Sequence, residues 1–91
     1  MARYEVLSWG EIPSVVKAYA DDGAPVSRQL DAWFQQEIDR EAMRLGLTGS
    51  DAYLERWHWV DGGERAGTAA ETLDAVEREL EAAFAARRSR T

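Results

Sequence analysis

The first third of the chain has the residue types of β-strands on both faces. A first strand is predicted over residues 3–9 and a second over residues 14–20. The segment from Gly10 to Pro13 separates them, because proline lacks an amide donor and suits a turn or the first residue of a strand.

A third strand is predicted over residues 24–29, after a tight turn. The pair Asp22-Gly23 tolerates the positive φ angles of a hairpin turn. Pro25 either places the third strand at a sheet edge or delays its start. The alternative is a loop in which Ser27 caps the following helix.

Two helices are predicted in the middle of the chain. Asp31 is the expected N-cap of the first, and Gly46 ends it. Its apolar positions recur at steps of three and four residues, namely Leu30, Phe34, Ile38, Ala42 and Leu45. Ser50 is expected to cap a short second helix over residues 51–56, with Tyr53 and Leu54 facing inward.

The last third of the chain predicts one strand and one helix. Residues 56–60 alternate with period two, which places Trp57 and Trp59 on one face of a strand ended by Asp61-Gly62-Gly63. Thr68 and Glu71 have the spacing of a capping box. The apolar stripe of the helix that follows comprises Leu73, Val76, Leu80, Ala83 and Phe84.

The predicted order is therefore β-β-β-α-short α-β-α. It indicates a two-layer α+β fold, in which two main helices cover one face of a three- or four-stranded antiparallel sheet. A single domain is expected over residues 1–86, followed by a basic tail over residues 87–91 that carries Arg87, Arg88 and Arg90.

The amino-acid composition excludes several classes of function. The chain has 91 residues and no cysteine, which excludes disulfides, thiolate metal sites and cysteine nucleophiles. A secreted domain of this size would ordinarily carry disulfides, so a cytoplasmic location is expected. The first nine residues lack the pattern of a signal peptide, and no apolar run is long enough to span a bilayer.

The net charge of −6, from 17 acidic and 11 basic residues, disfavours nucleic acid as a partner. Nothing in the pattern indicates a membrane partner.

The sequence contains little that would support a catalytic site. His58 is the only histidine, and Asp61 and Glu64 alone do not complete the ligand set that zinc requires. The glycine-rich segment over residues 62–68 has the outline of a phosphate loop but lacks the Walker lysine, so a turn before a capped helix is expected. No catalytic residue, metal or cofactor is predicted, which favours a protein that is not an enzyme.

The candidate binding residues are aromatic and basic. Tryptophan and arginine are the residues most enriched at binding hot spots. The two indoles at positions 57 and 59 are either core or an exposed contact surface. The candidates are Trp9, Arg56, Trp57, His58, Trp59 and Arg65.

Several segments resemble the small bacterial domain family labelled "conserved virulence factor". They are Trp9-Gly10-Glu11-Ile12-Pro13, Phe34-Gln35, Ile38-Asp39, Ala42-Met43-Arg44, Gly46-Leu47, Gly49, Asp51-Ala52-Tyr53-Leu54 and Trp57. The resemblance extends from about residue 9 to residue 79. It implies no known chemistry, and it suits an accessory or interaction role.

The expected function is a non-catalytic accessory or protein-interaction module of a bacterial cytoplasmic system, with a protein partner or a homo-oligomer. The alternative is a small-ligand-binding subunit of a larger enzyme, whose tryptophans stack on a planar ligand. An enzyme that uses His58 with Glu64 or Asp61 is a third hypothesis.

Overall fold

A computed structural model describes residues 1–90 of the chain. The elements in order are β1 (Ala2–Trp9), β2 (Ile12–Tyr19), β3 (Pro25–Gln29), α1 (Ala32–Arg44), α2 (Asp51–Glu55), β4 (Trp57–Arg65) and α3 (Ala69–Ser89). The predicted order and the α+β class are confirmed. Residues 25–29 form the predicted third strand, so the alternative loop is wrong.

The sheet has four antiparallel strands in the order β3-β2-β1-β4. The first three strands form a meander, and β4 returns to pair with β1 after the chain has passed through α1 and α2. The two edges of the sheet are therefore β3 and β4.

One face of the sheet packs against α3. Val16 and Ala18 on β2 are fully buried on this face. Arg28, which lies opposite Val16 on β3, makes an ion pair with Asp74 of α3. The core joins this face to both long helices and includes Trp9, Ile12, Val16, Ala18, Leu30, Trp33, Phe34, Ile38, Ala42, Ala69, Leu73 and Val76.

The two long helices meet through aromatic and charged side chains. The ring of Phe84 on α3 lies 5.6 Å from Phe34 and 6.4 Å from Trp33, both on α1. Beside these rings, the buried carboxylate of Glu37 accepts a hydrogen bond from Arg87. The predicted domain end at residue 86 therefore lies inside α3, and residues 87–89 of the predicted tail are helical. Thr91 lies outside the described residues.

The helix caps agree with the sequence prediction. Asp31 caps α1, Ser50 caps α2, and Thr68 forms the capping box with Glu71 at the start of α3. Two apolar residues predicted to be buried are exposed. Leu45 is 38% exposed because it lies at the C-cap of α1, and Leu54 is 65% exposed because α2 turns Tyr53 toward the core instead.

Two strands extend beyond their predicted ends because the ladder tolerates a bulge. β2 begins at Ile12, and a register shift next to Ser14 accommodates Pro13 within the strand. β4 continues through residues 61–63 to Arg65, with Gly62 as the extra residue. The prediction that Asp61-Gly62-Gly63 ends this strand is therefore wrong.

Gly62 is required by the ring of Tyr4. A Cβ atom at position 62 would lie 2.1 Å from Cε2 of Tyr4. We expect Gly62→Ala to lower the free energy of unfolding by about 1–3 kcal/mol, because the ring or the bulge must move. Urea denaturation measures the effect. In a Tyr4→Ala background the same substitution should cost far less, and an equal cost in both backgrounds would contradict this explanation.

Candidate functional site

β4 is the longer of the two exposed edges of the sheet. Its seven central residues, 58–64, are all exposed. The opposite edge, β3, is five residues long, begins with Pro25 and is tied to α3 by Arg28. Short length and proline are common protections of an edge strand, and β4 has neither.

Backbone groups of β4 point outward at alternate residues. The N–H of Gly10 donates to the carbonyl oxygen of Arg56 at 3.0 Å, so these two residues form a hydrogen-bonded pair. Hydrogen-bonded and non-bonded pairs alternate along an antiparallel ladder. The register with β1 is continuous from Trp57 to Asp61. The N–H and C=O groups of Trp57, Trp59 and Asp61 therefore point away from β1.

On the helix side of this edge lies an apolar groove of about 250 Å³, called here the β4–α3 groove. Val60 lies opposite Val6 in the ladder and is 45% exposed, because α3 covers the neighbouring strands and leaves this position open. Leu80 and Phe84 of α3 form the other wall. The lining residues are Val6, Ser8, Gly10, Glu11, Pro13, Val60, Leu80 and Phe84.

On the open side of the edge, Trp59 is 46% exposed. The amino group of Lys17 lies 5.5 Å from the Trp59 ring and 5.4 Å from the Tyr19 ring, within the range of cation–π attraction. The Tyr19 hydroxyl donates to Glu5 at 2.6 Å. Lys17 thus links the exposed indole of Trp59 on β4 to Tyr19 on β2, across the intervening strand β1.

Three of the predicted site residues form one structural cluster. Trp9 is 1% exposed, and its Nε1–H donates to the carbonyl oxygen of Tyr53 at 2.8 Å. The Arg56 guanidinium lies 5.4 Å from the Trp9 ring. The half-buried Trp57 meets Tyr53 edge-on, with the ring centroids 6.4 Å apart. Of the two indoles on β4, Trp57 thus belongs to the core and Trp59 to the surface.

The two remaining candidates lie apart from each other. His58 is exposed, and its Nδ1 lies 3.0 Å from the carbonyl oxygen of Arg56. Arg65 lies at the far end of β4, where its guanidinium is 5.2 Å from the Tyr4 ring and is ion-paired with Glu79. The hydrogen bond from Arg65 lowers the pKa of Glu79. Among residues 1–90, no cluster of three or more histidines and carboxylates could hold a metal ion.

Three carboxylates on the long helices accept hydrogen bonds that lower their pKa values, which predicts an acid-sensitive fold. The pKa of Asp74 is lowered by a hydrogen bond from Arg28, that of Glu41 by one from Arg44, and that of Glu71 by Thr68 at the cap. Each folded pKa lies below the unfolded one, so the stabilisation is complete above the unfolded values. It is lost as the pH falls through the folded values.

We therefore expect the Tm to change little between ~pH 7 and ~pH 5 and to fall below ~pH 4. Calorimetric scans across this range measure the effect. A Tm that stays constant down to ~pH 3 would contradict it.

The sequence analysis did not predict the two surfaces beside β4, namely the open face around Trp59 and the β4–α3 groove on the helix side. Lys17 and Tyr19 alternate on β2, and that period-two pattern could have indicated a partly exposed face. Val60 could not be identified as part of a groove, because its exposure depends on where α3 crosses the sheet.

The fold and this edge define a small α+β domain whose longer sheet edge, β4, is exposed. A family model described as "Virulence factor" matches residues 7–91, so the chain belongs to that family. Neither a search of curated proteins nor a search of solved structures gave a match. Within the described residues, no helix combines the length and apolar character needed to cross a membrane.

Proposed function

We propose that the protein is a non-catalytic protein-interaction module of the bacterial cytoplasm, and that it receives a partner chain along β4. The observation that carries this proposal is the outward direction of the backbone groups of Trp57, Trp59 and Asp61 on an exposed edge. An unpaired row of N–H and C=O groups is a template for another strand.

The exposed indole of Trp59 supports the same use of the edge. A half-exposed tryptophan buries a large apolar area when a partner covers it, and tryptophan is enriched at hot spots. Trp59 lies on the strand that carries the free backbone groups. One partner segment can therefore contact both.

The binding of a small planar ligand is the competing function. It would depend on stacking against Trp59, the one exposed tryptophan among residues 1–90. Trp9 and Trp57 are engaged with Tyr53, so they do not form a slot with Trp59. Strand pairing along β4 would engage both the outward backbone groups and the Trp59 ring, whereas a stacked ligand would engage the ring alone.

Native mass spectrometry of tagged protein, gently purified from its own host, tests the proposal. The informative variants are Trp59→Ala and Asp61→Pro. Proline at position 61 removes an outward N–H without removing a bond to β1. Asp61→Ala is the matched control, because it removes the carboxylate and keeps the N–H.

We expect a defined complex with wild type and with Asp61→Ala, and its loss with Trp59→Ala and Asp61→Pro. Circular dichroism establishes that each variant is folded. Retention of the complex by both of the latter variants, or a wild-type chain that carries no partner, would overturn the proposal. A discrete small-mass adduct on the chain would favour the planar ligand instead.

A further inference from the structure

We infer that the occupant of the β4 edge is an extended, basic segment of a partner protein, with alternate apolar side chains packed into the β4–α3 groove. This inference rests on the proposed function. It adds the conformation, the side-chain pattern and the charge of the segment.

The extended conformation follows from the backbone of β4. Outward N–H and C=O groups at Trp57, Trp59 and Asp61 recur at every second residue, which is the repeat of a paired strand. A helix satisfies its own backbone groups and would leave these unpaired. A partner strand satisfies them over the regular half of β4, before the bulge at Gly62.

The apolar pattern follows from the position of the groove. Residues directly opposite each other in an antiparallel pair share a face of the sheet. A partner residue opposite Val60 therefore projects toward Leu80 and Phe84 of α3. Its neighbours project to the open face, beside Trp59. Alternate positions of the segment thus meet an apolar wall and an aromatic, polar face.

The basic character follows from the charges around this edge. Asp61 and Glu64 are exposed on β4, and Glu11 lies at the rim of the groove with its side chain 83% exposed. Arg65, the cation of β4, is already paired with Glu79. Arg3 approaches Asp61 at 3.4 Å, but both side chains are about 60% exposed, and such a pair is weak.

Arg87 approaches Glu11 at 3.2 Å, but it also makes ion pairs with Glu37 and Glu41. The whole chain carries a net charge of −6. Lys17 already lies at the Trp59 ring, but Glu5 lies opposite it in the ladder and offsets its charge. Lysine or arginine at the open-face positions of the segment would meet Asp61.

A second copy of this chain fits the edge poorly. Two antiparallel copies of β4 that paired along their whole length would place the bulged half of each strand, from Gly62 onward, against the regular half of the other. Such a pairing would also bring together two acidic edges that carry Asp61 and Glu64. Like charges across a pair of strands are destabilising.

Selection from a phage-displayed library of random peptides of about ten residues, the upper length of an ordinary strand, tests the inference. The bait is the full chain. Val60→Glu places a charge in the groove. Val26→Glu is the matched control, because Val26 lies on the same sheet face at the opposite edge and is 44% exposed, against 45% for Val60.

We expect enriched peptides with a positive net charge and an apolar residue at every second position. Their affinity should fall at least about tenfold with Val60→Glu and stay within about twofold with Val26→Glu. Peptides that are acidic, helical in pattern or equally well bound by Val60→Glu would overturn the inference, as would a failure to enrich.

The failure of this inference can be told from the failure of the proposed function. If the selection fails while the host complex is still lost with Asp61→Pro, the edge is used by a partner of different chemistry. If wild type alone forms a dimer in analytical ultracentrifugation and Val60→Glu is a monomer, the occupant is a second copy and the inference is wrong.

Discussion

Trp9→Ala should lower the free energy of unfolding by about 3–5 kcal/mol, a large part of the ~5–15 kcal/mol that stabilises an ordinary domain. The substitution removes an indole that is 1% exposed from the junction of β1 with α2. It also leaves the carbonyl oxygen of Tyr53 without the Trp9 Nε1–H. Urea denaturation followed by circular dichroism measures the loss.

Two further variants give this prediction its controls. Trp9→Phe keeps an aromatic ring and loses only the hydrogen bond and some volume, so its cost should lie well below that of alanine. Trp59→Ala removes an indole that is 46% exposed, and its cost should be near ~0.5 kcal/mol. Equal costs at positions 9 and 59 would show that the two tryptophans do not divide into core and surface.

Arg87→Met should lower the free energy of unfolding by about 2–3 kcal/mol, less than the ~3–5 typical of breaking a buried ion pair. The Glu37 side chain is only 7% exposed and would lose its partner on α3. Arg40 still pairs with Glu37 from the same helix, which limits the loss. Methionine keeps most of the apolar stem of arginine, so the change in the free energy of unfolding is due mainly to the loss of the guanidinium charge.

Arg88→Met is the matched control for this prediction. Arg88 lies one residue further along α3, pairs with Asp31 and lies 5.6 Å from the Trp33 ring, but the side chains of the ion pair are about half exposed. Its substitution should cost no more than ~1 kcal/mol. Thermal or urea unfolding of the two variants side by side gives the comparison. Equal and small effects would mean that α3 near residue 87 adds nothing to the fold, as expected of a tail.

The helices could be predicted from the sequence because their signals are local. The capping box of Thr68 and Glu71 contains its own partners within one turn, and the N-cap at Asp31 does the same. The end of α3 could not be placed in this way. From the sequence, Arg87 was predicted to belong to a basic tail. In the structure it donates a hydrogen bond to the buried carboxylate of Glu37 on α1.

The strand ends depended on contacts that are distant in the sequence. Gly62 and Gly63 resemble a turn, yet they continue β4, which pairs with β1 beyond a bulge. The glycine at position 62 leaves room for the ring of Tyr4 on β1. The separation of Trp57 from Trp59 has a similar cause. Period two places both indoles on one side of the strand, and only the packing of Tyr53 makes one of them core.

The candidate site was accessible to sequence reasoning only in part. Trp59 was identified by its residue type, whereas the free backbone beside it and the β4–α3 groove depend on the strand order and on the path of α3. Composition favours binding over catalysis, and this stays a prediction. Composition could not indicate which strands form the two edges of the sheet.

Amide hydrogen exchange along β4, measured by NMR on the free chain and on the chain with the partner recovered from its host, tests the central claim most directly. The account predicts that His58 and Val60 are protected in both states. It predicts that Trp59 and Asp61 exchange fast in the free chain and slow when the partner is bound. A bound partner that leaves the exchange of Trp59 and Asp61 unchanged would contradict the account, because binding would then not use the backbone of this edge.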